Sequence, residues 1–512
     1  MRAHAPAKAG HARRRWIQKT LRFIIHLRRA LRGDRTVAIP HNLWLPVSCN
    51  DLSVYCGTHD RTLRSPEHPP ATTTCCPPHG AARPLPHLHW CQLRPHLLSE
   101  IADALDGKAR DVWAALAGWV ASGFPLHYVG NGRSTFPLGP GRLAGAMRTP
   151  EETGSGPLQR KLDELLQEQG PTFGPFAMPP FERGIVSPVL GVPKKDGSIR
   201  PVYHCSFPRP RHGDSPAESL NGGISRDSFW FPALDSVASW LLLWYLAANP
   251  ATSSGKDHVI FKLDFESAFR QVPVREADWP LLMLYDVAGG RYLLETCAAF
   301  GTRISSDLWL RVANVWKVFL HASGFQATMI YVDDLAVVCP ARRVWQLLEV
   351  VASLERELGT RVHWGKVFPD GGCTTRAAVL GVVVDLGRCV LSLDPKKARS
   401  RLAQARNLLA AESWSVKIVE KLVGTLNFFA TALPSGRLLL GPIYALTGGR
   451  SPSVSIGPKH AARRALSIWC DLLESSLRQF LEQPFLYTPN SVFWLATDAS
   501  DAGMGGVSAF GA

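Results

Sequence analysis

The chain has little that would place it in a membrane or on a secretory route. No apolar run approaches the roughly 20 residues of a bilayer-spanning helix, and the nearest, Trp240 to Ala248, is about half that length. Near the start, Phe23-Ile24-Ile25 is too short for the hydrophobic core of a signal peptide. The eleven cysteines are odd in number and scattered, which excludes a fully paired disulfide framework and fits free thiols in a reducing intracellular compartment. Tightly spaced Cys/His ligand pairs are also missing. Cys49, Cys56, His59, Cys75, Cys76, His79 and Cys91 are spread loosely through residues 36–97, a stretch with ten prolines that reads as a disordered linker rather than a zinc knuckle. No internal repeat is present.

What is present is a globular composition, 46% hydrophobic and 19% charged, with a net charge of +15. A basic chain of this size suggests a polyanionic partner, nucleic acid first. The charge is uneven. Residues 1–35 hold eleven Lys or Arg against Asp34 alone, a local net of +10, which leaves +5 for the remaining 477 residues. Trp16, Thr20, Phe23, Leu27 and Leu31 share one face of a basic helix over 13–32, which suits nucleic-acid binding, a nuclear signal or organelle targeting; a disordered basic tail is the alternative. Helical periodicity returns at 98–123, through Leu105, Val112, Leu116 and Trp119, and again from Leu158 to Gln169. From about residue 171 short apolar runs broken by Gly and Pro mix with helices, the pattern of an α+β fold.

Two segments carry chemistry. In Ala327–Cys339 the adjacent acids Asp333 and Asp334 lie between two β-prone apolar runs, predicting a hairpin with carboxylates at its tip. Packed among apolar strands, two such acids would repel each other and resist desolvation, and a divalent cation would relieve both penalties. Upstream, Val259–Asp264 is an apolar strand ending in an acid, followed by a turn and Phe269. Set beside the hairpin, that strand would complete a three-carboxylate site of the kind Mg²⁺ prefers, able to serve two metal ions in phosphoryl transfer.

The Tyr331-Val332-Asp333-Asp334 box, with Asp264 ahead of it, resembles the catalytic motifs of reverse transcriptases. Ser187–Val202 is similar to that family's fingers hairpin, with Asp196-Gly197 as its turn, and the likeness implies that Lys194 and Arg200 grip the triphosphate. Phe269 matches the family's steric gate against a ribose 2′-hydroxyl. Ala299–Ser306 resembles the segment that holds the nucleotide, with Phe300 and Gly301 as substrate-binding residues, although Ala299 and Ser306 stand where the family usually has proline. Lys366 falls where the family places a lysine that protonates pyrophosphate. Ala378–Asp385 resembles the primer-grip hairpin, and the stripe Val419, Leu422, Leu426, Phe429 and Leu433 reads as the core of a thumb. Gly174–Pro180, His204–Arg209, Ser219–Ile224 and Pro434–Arg437 are similar to the DIRS-like, tyrosine-recombinase retroelements, and His204 and Ser206 replace the Asp and Arg usual in other reverse transcriptases.

The resemblance implies a right hand of fingers, palm and thumb, the palm an antiparallel sheet backed by helices. Expected divisions are a basic tail at 1–35, the linker at 36–97, a helical region at 98–170, fingers and palm at 171–385, a thumb at 386–450 and a connection at 451–487. Residues 488–512, including Asp498, resemble the first hairpin of a ribonuclease H domain cut short, so no ribonuclease H activity is expected. The implied activity is RNA-directed DNA synthesis for a retrotransposon with Mg²⁺ or Mn²⁺, catalysed by Asp264, Asp333, Asp334 and Lys366. An RNA or DNA template, a primer strand and dNTPs are the expected partners, without a membrane, in an intracellular and nuclear setting. The rival expectation is an inactive relic that only binds nucleic acid. A telomerase or an intron maturase is disfavoured, because those proteins generally lack a ribonuclease H start after the thumb.

Overall fold

A computed structural model of the protein describes residues 90–105, 107–144, 155–168, 170–194, 197–208, 219–225, 237, 240, 241, 244, 257–367, 373–447, 452–479, 483–484, 493–500 and 503–510. The expectations for the basic tail at 1–35 and for nearly all of the linker at 36–97 lie outside the described residues. The chain divides into two compact units. One comprises Met1–Asp235, Lys262–Ala336 and Trp345–Pro369, the other Ser236–Phe261, Val337–Val344 and Asp370–Ala512.

The first unit opens with helices α1 (His96–Asp103) and α2 (Gly107–Ser122), so the periodic stretch at 98–123 is two helices and not one. In α2 the buried face is Trp113, Ala117 and Val120, spaced by four and three. This face is rotated from the expected stripe, of which Val112, Leu116 and Trp119 are only half-buried. Helix α3 (Ser155–Gln167) buries Leu158, Leu162 and Leu165 as its pattern predicted.

Strands β1 (Thr172–Phe176), β2 (Val186–Pro193) and β3 (Ile199–Tyr203) precede β4 (His258–Asp264), β5 (Met283–Asp286) and β6 (Arg291–Glu295). Five of these form one sheet in the order β1-β6-β5-β2-β3. Only the β2–β5 pair is parallel, and both strands are densely buried, as inner parallel strands must be. The β2–β3 ladder ends at Pro193 opposite Ile199, leaving residues 194–198 as the loop. Gly197 has φ +80°, and the Lys194 N–H donates to the Ser198 carbonyl at 2.7 Å; Asp196 lies outside the described residues.

Helix α4 (Ser305–Ala322) is buried nearly all round, through Leu308, Trp309, Val312, Ala313, Trp316, Phe319 and Leu320. Its first turn carries buried Asp307, paired with Arg311 one turn on at 2.8 Å. Strands β7 (Thr328–Tyr331) and β8 (Asp334–Pro340) follow, in a sheet ordered β4-β8-β7, and then helix α5 (Val344–Leu358).

In the second unit β9 (Arg376–Val379), β10 (Val382–Asp385) and β11 (Val390–Leu393) make an antiparallel meander. Leu380 and Gly381 both have positive φ, the backbone of a two-residue hairpin turn. Helix α6 (Pro395–Ala410) starts with Pro395 in its first turn and Asp394 as N-cap, accepting from the Lys397 N–H at 3.1 Å. Beyond it come β12 (Ser413–Ser415), α7 (Val416–Phe429), β13 (Ser453–Ser455), α8 (Ala461–Gln479) and β14 (Gln483–Pro484). The stripe Val419, Leu422, Leu426, Phe429 and Leu433 is buried, as a core stripe should be, with Leu433 just past the end of α7. Finally β15 (Phe493–Ser500) and β16 (Gly503–Phe510) pair antiparallel from Phe493 opposite Phe510 to Ser500 opposite Gly503. The architecture is α+β, as the sequence predicts.

Candidate active site

Asp264 closes β4 and is half-buried. Its backbone carbonyl accepts from the His363 N–H at 2.9 Å, Phe265 bridges Val362, and the Glu266 N–H donates to the Arg361 carbonyl at 3.0 Å. Buried Gln271 fastens this crossing. Its amide nitrogen donates to the carbonyls of Glu266 at 2.6 Å and Arg361 at 3.0 Å, and its amide oxygen accepts from the Arg361 N–H at 2.7 Å. The loop after Asp264 is thus held by backbone groups that an exposed loop would leave to water.

Val332 and Asp333 form the two-residue connection between β7 and β8, with Asp334 as the first residue of β8. Both carboxylates are exposed, and burial begins only at Leu335. The expected desolvation penalty therefore does not arise, because the turn stands clear of the apolar strand faces that would have dried it. Val332 has φ +55°, a left-handed conformation that β-branched residues rarely adopt. Its carbonyl accepts from the indole N–H of Trp309 at 2.9 Å. Trp309 is fully buried, and its ring lies edge-on to Phe265 at 4.8 Å. One indole thereby touches the residue after Asp264 and the residue before Asp333. Among the described residues no three His, Cys, Asp or Glu side chains already stand close enough to hold a metal ion.

The substrate-side candidates come together more tightly. The Arg200 guanidinium lies 5.4 Å from the centre of the Phe300 ring, and that ring lies 5.0 Å from Phe269. A cation and two mutually tilted aromatic rings are thus brought into contact from three separate segments. Phe269 sits in a single 3₁₀ turn, Ala268–Gln271, entered through Ser267 at φ +49°. Gly301, at φ +114°, packs so closely on β3 that a Cβ would meet the Tyr203 carbonyl oxygen at 1.9 Å. Lys194 is exposed at the head of the β2–β3 loop. Lys366 lies in the short helical turn Trp364–Val367; its backbone is placed and its side chain is not described.

Side-chain hydrogen bonds fasten the loop that follows Ala299. The Ala299 carbonyl accepts from the Thr302 hydroxyl at 3.1 Å and the Ser305 hydroxyl at 2.7 Å. Asn221 clamps the same loop from outside. Its amide nitrogen donates to the Gly301 carbonyl and to the Ser206 hydroxyl, both at 2.8 Å, and its oxygen accepts from the Arg303 N–H at 2.8 Å. Sequence reasoning passed over Trp309, Gln271 and Asn221 as positioning residues. The only available signal was for Asn221, which lies in the Ser219–Ile224 motif.

Neither a family model nor a curated protein matches this chain. Among solved structures it is similar to a foamy viral protease-reverse transcriptase dRH in complex with double-stranded DNA, at 15% identity and a TM-score of 0.45, over 79% of this chain and 63% of that one. It is also similar to a foamy viral protease-reverse transcriptase in complex with an RNA/DNA hybrid, at 15% identity and a TM-score of 0.43, over 71% of this chain and 44% of the other. A further foamy viral structure with double-stranded DNA shares 14% identity at a TM-score of 0.44, over 79% of this chain and 75% of the other. The chain therefore spans less than two thirds of the length of the first two.

Proposed function

We propose that this chain is the RNA-directed DNA polymerase of a retroelement of the DIRS-like kind, a right hand of fingers, palm and thumb that extends a primer with dNTPs. One observation carries the reading: the turns bearing Asp264 and Asp333 converge on a single buried indole, Trp309, while the Arg200–Phe300–Phe269 cluster begins five residues beyond Asp264. Motif residues separated by up to 133 positions in the sequence, from Arg200 to Asp333, thus belong to one unit of the fold.

The acidic side chains fit a hard divalent cation. They offer only carboxylate oxygens, at exposed or half-exposed positions that substrate phosphates can reach. Asp264 and Asp333 would hold Mg²⁺ or Mn²⁺, with Asp334 in support. Bound there, such ions would supply Lewis acidity, favouring deprotonation of a primer 3′-hydroxyl and offsetting charge on the pyrophosphate. The chain's own groups do the rest. Arg200, steadied on Phe300, presents a planar fork to the triphosphate, and Lys194 adds a point charge. Phe269 occupies the space that a ribose 2′-hydroxyl would need. Gly301 lets the backbone come close to the nucleotide, and Lys366 supplies a proton to the pyrophosphate.

The test is primer extension by the purified chain on an RNA template with an annealed DNA primer, dNTPs and Mg²⁺ or Mn²⁺. Metal-dependent extension that Asp333→Ala abolishes is the expected result. Folded protein that binds the primer–template and never extends it would leave the nucleic-acid-binding relic instead.

A further inference from the structure

The geometry points to Glu295 as a positioning residue that sets nucleotide sugar selectivity by fixing both rings of the Phe269–Phe300 pair. The inference rests on the polymerase reading above and deepens it.

Glu295 ends β6 at 0% exposure, among apolar neighbours. One of its oxygens accepts from Arg270 at 2.9 Å, from the Tyr203 hydroxyl at 2.7 Å and from the Thr172 hydroxyl at 3.2 Å; the other accepts from the Cys297 thiol at 3.2 Å. Arg270 also donates to the Thr172 hydroxyl at 3.0 Å. Burial, the largest single influence on Arg270, would push its proton off, but the Glu295 carboxylate and smaller contributions from other neighbours together outweigh this and hold the guanidinium pKa above its ordinary value. Burial, then the adjacent carboxylate, drives the Tyr203 phenol well above its usual range, so it stays a neutral donor.

The partners matter for where they lead. Arg270 is bonded directly to Phe269 and shares its 3₁₀ turn. Tyr203 carries the other ring: its N–H donates to the Phe300 carbonyl at 3.0 Å, and its own carbonyl lies where a Cβ on Gly301 would have to go. The Phe269 turn and the Phe300 segment, which meet through the 5.0 Å ring contact and through the Ala298 N–H donating to the Val272 carbonyl at 2.9 Å, are therefore both referenced to one carboxylate behind them. A buried ion pair of this kind rarely adds stability over well-packed apolar side chains, since desolvation offsets the attraction. Its contribution here is position: a salt bridge and three further hydrogen bonds fix directions in a way that apolar contact does not. A sugar gate works by a clearance of about an ångström, the scale on which a misplaced group changes rates a hundredfold.

The experiment compares single-nucleotide incorporation of dNTP and rNTP on a primed RNA template by the full chain, by Glu295→Gln and by Tyr203→Phe, with Phe269→Ala as the reference for an open gate. The readout is the ratio of kcat/KM for the two sugars, which a merely structural role would leave unchanged in the folded protein. Glu295→Gln should lower the preference for deoxynucleotide at least tenfold, toward Phe269→Ala. Tyr203→Phe keeps the ion pair and loses one hydrogen bond, so it should lower the preference a few-fold, and it decides the matter should Glu295→Gln not fold. A preference equal to wild type in the folded variants overturns the inference and leaves the polymerase reading standing. No extension by the wild-type chain overturns both.

Discussion

The first unit holds two polar centres built on opposite terms. Around Glu295 a carboxylate is fully buried, and Arg270, Tyr203, Thr172 and Cys297 all point hydrogens at it. At the β7–β8 turn, Asp333 and Asp334 are exposed and like-charged, on a backbone held in a left-handed conformation at Val332. The first centre is complete from the chain's own atoms. The second sets two carboxylates side by side at exposed positions, where a cationic or metal-bound ligand can reach them. A fold can thus spend its polar satisfaction on the scaffold behind a site and leave the reacting face open.

That comparison breaks most visibly under substitution. Asp333→Ala should reduce primer extension about a thousandfold or more, yet leave the urea midpoint nearly unmoved, because an exposed change typically costs under about 0.5 kcal/mol. Glu295→Ala should do the reverse to stability. Leaving Arg270 buried without its partner costs about 3–5 kcal/mol by urea denaturation, and replacing both residues by apolar ones of similar size should recover most of that loss.

Acid sharpens the contrast between buried and exposed charge. Burial first, then Lys317, pushes the His321 pKa down to about 3, and burial, with Arg311 and Arg275, pushes His127 down to about 4. Both folded values lie below the unfolded one. Their stability is fully present above about pH 6.5 and is lost as pH falls toward 3–4. His321 alone should cost about 2 kcal/mol between pH 7 and pH 5, read as a lower urea midpoint that a folded His321→Phe variant shows less of. The smallest expected effect is at the link between the two carboxylate turns. Trp309→Phe keeps the ring against Phe265 and loses the donor to the Val332 carbonyl, for about 1 kcal/mol of stability and about a tenfold fall in kcat.

The parts legible in the sequence were those with local patterns. Apolar, β-prone runs announced β4, β7 and β8, and the acids fell at strand ends because charges interrupt such runs. The stripe in α7 named its own buried face. What the sequence hid was set by partners far along the chain: Asn221 reaching Gly301, Gln271 reaching Arg361, and Thr172 meeting Glu295 across 123 positions. A polar residue bound for burial looks like a surface residue until its partner is placed. The exposure of Asp333 and Asp334 escaped for a similar reason, since an apolar flank says nothing about how far a turn projects. In α2 the true face was missed because half-buried large residues, such as Trp119, mimic a core stripe.

The most direct measurement offers the wild-type chain one dNTP at a time, with Mg²⁺, on an RNA template of defined sequence and an annealed DNA primer. For a template-directed polymerase with this carboxylate site, only the nucleotide complementary to the next template base is added, and Asp264→Asn and Asp333→Asn each abolish the addition while primer–template binding persists. Addition that ignores the template, or folded wild-type protein that binds the duplex and adds nothing, would contradict that reading.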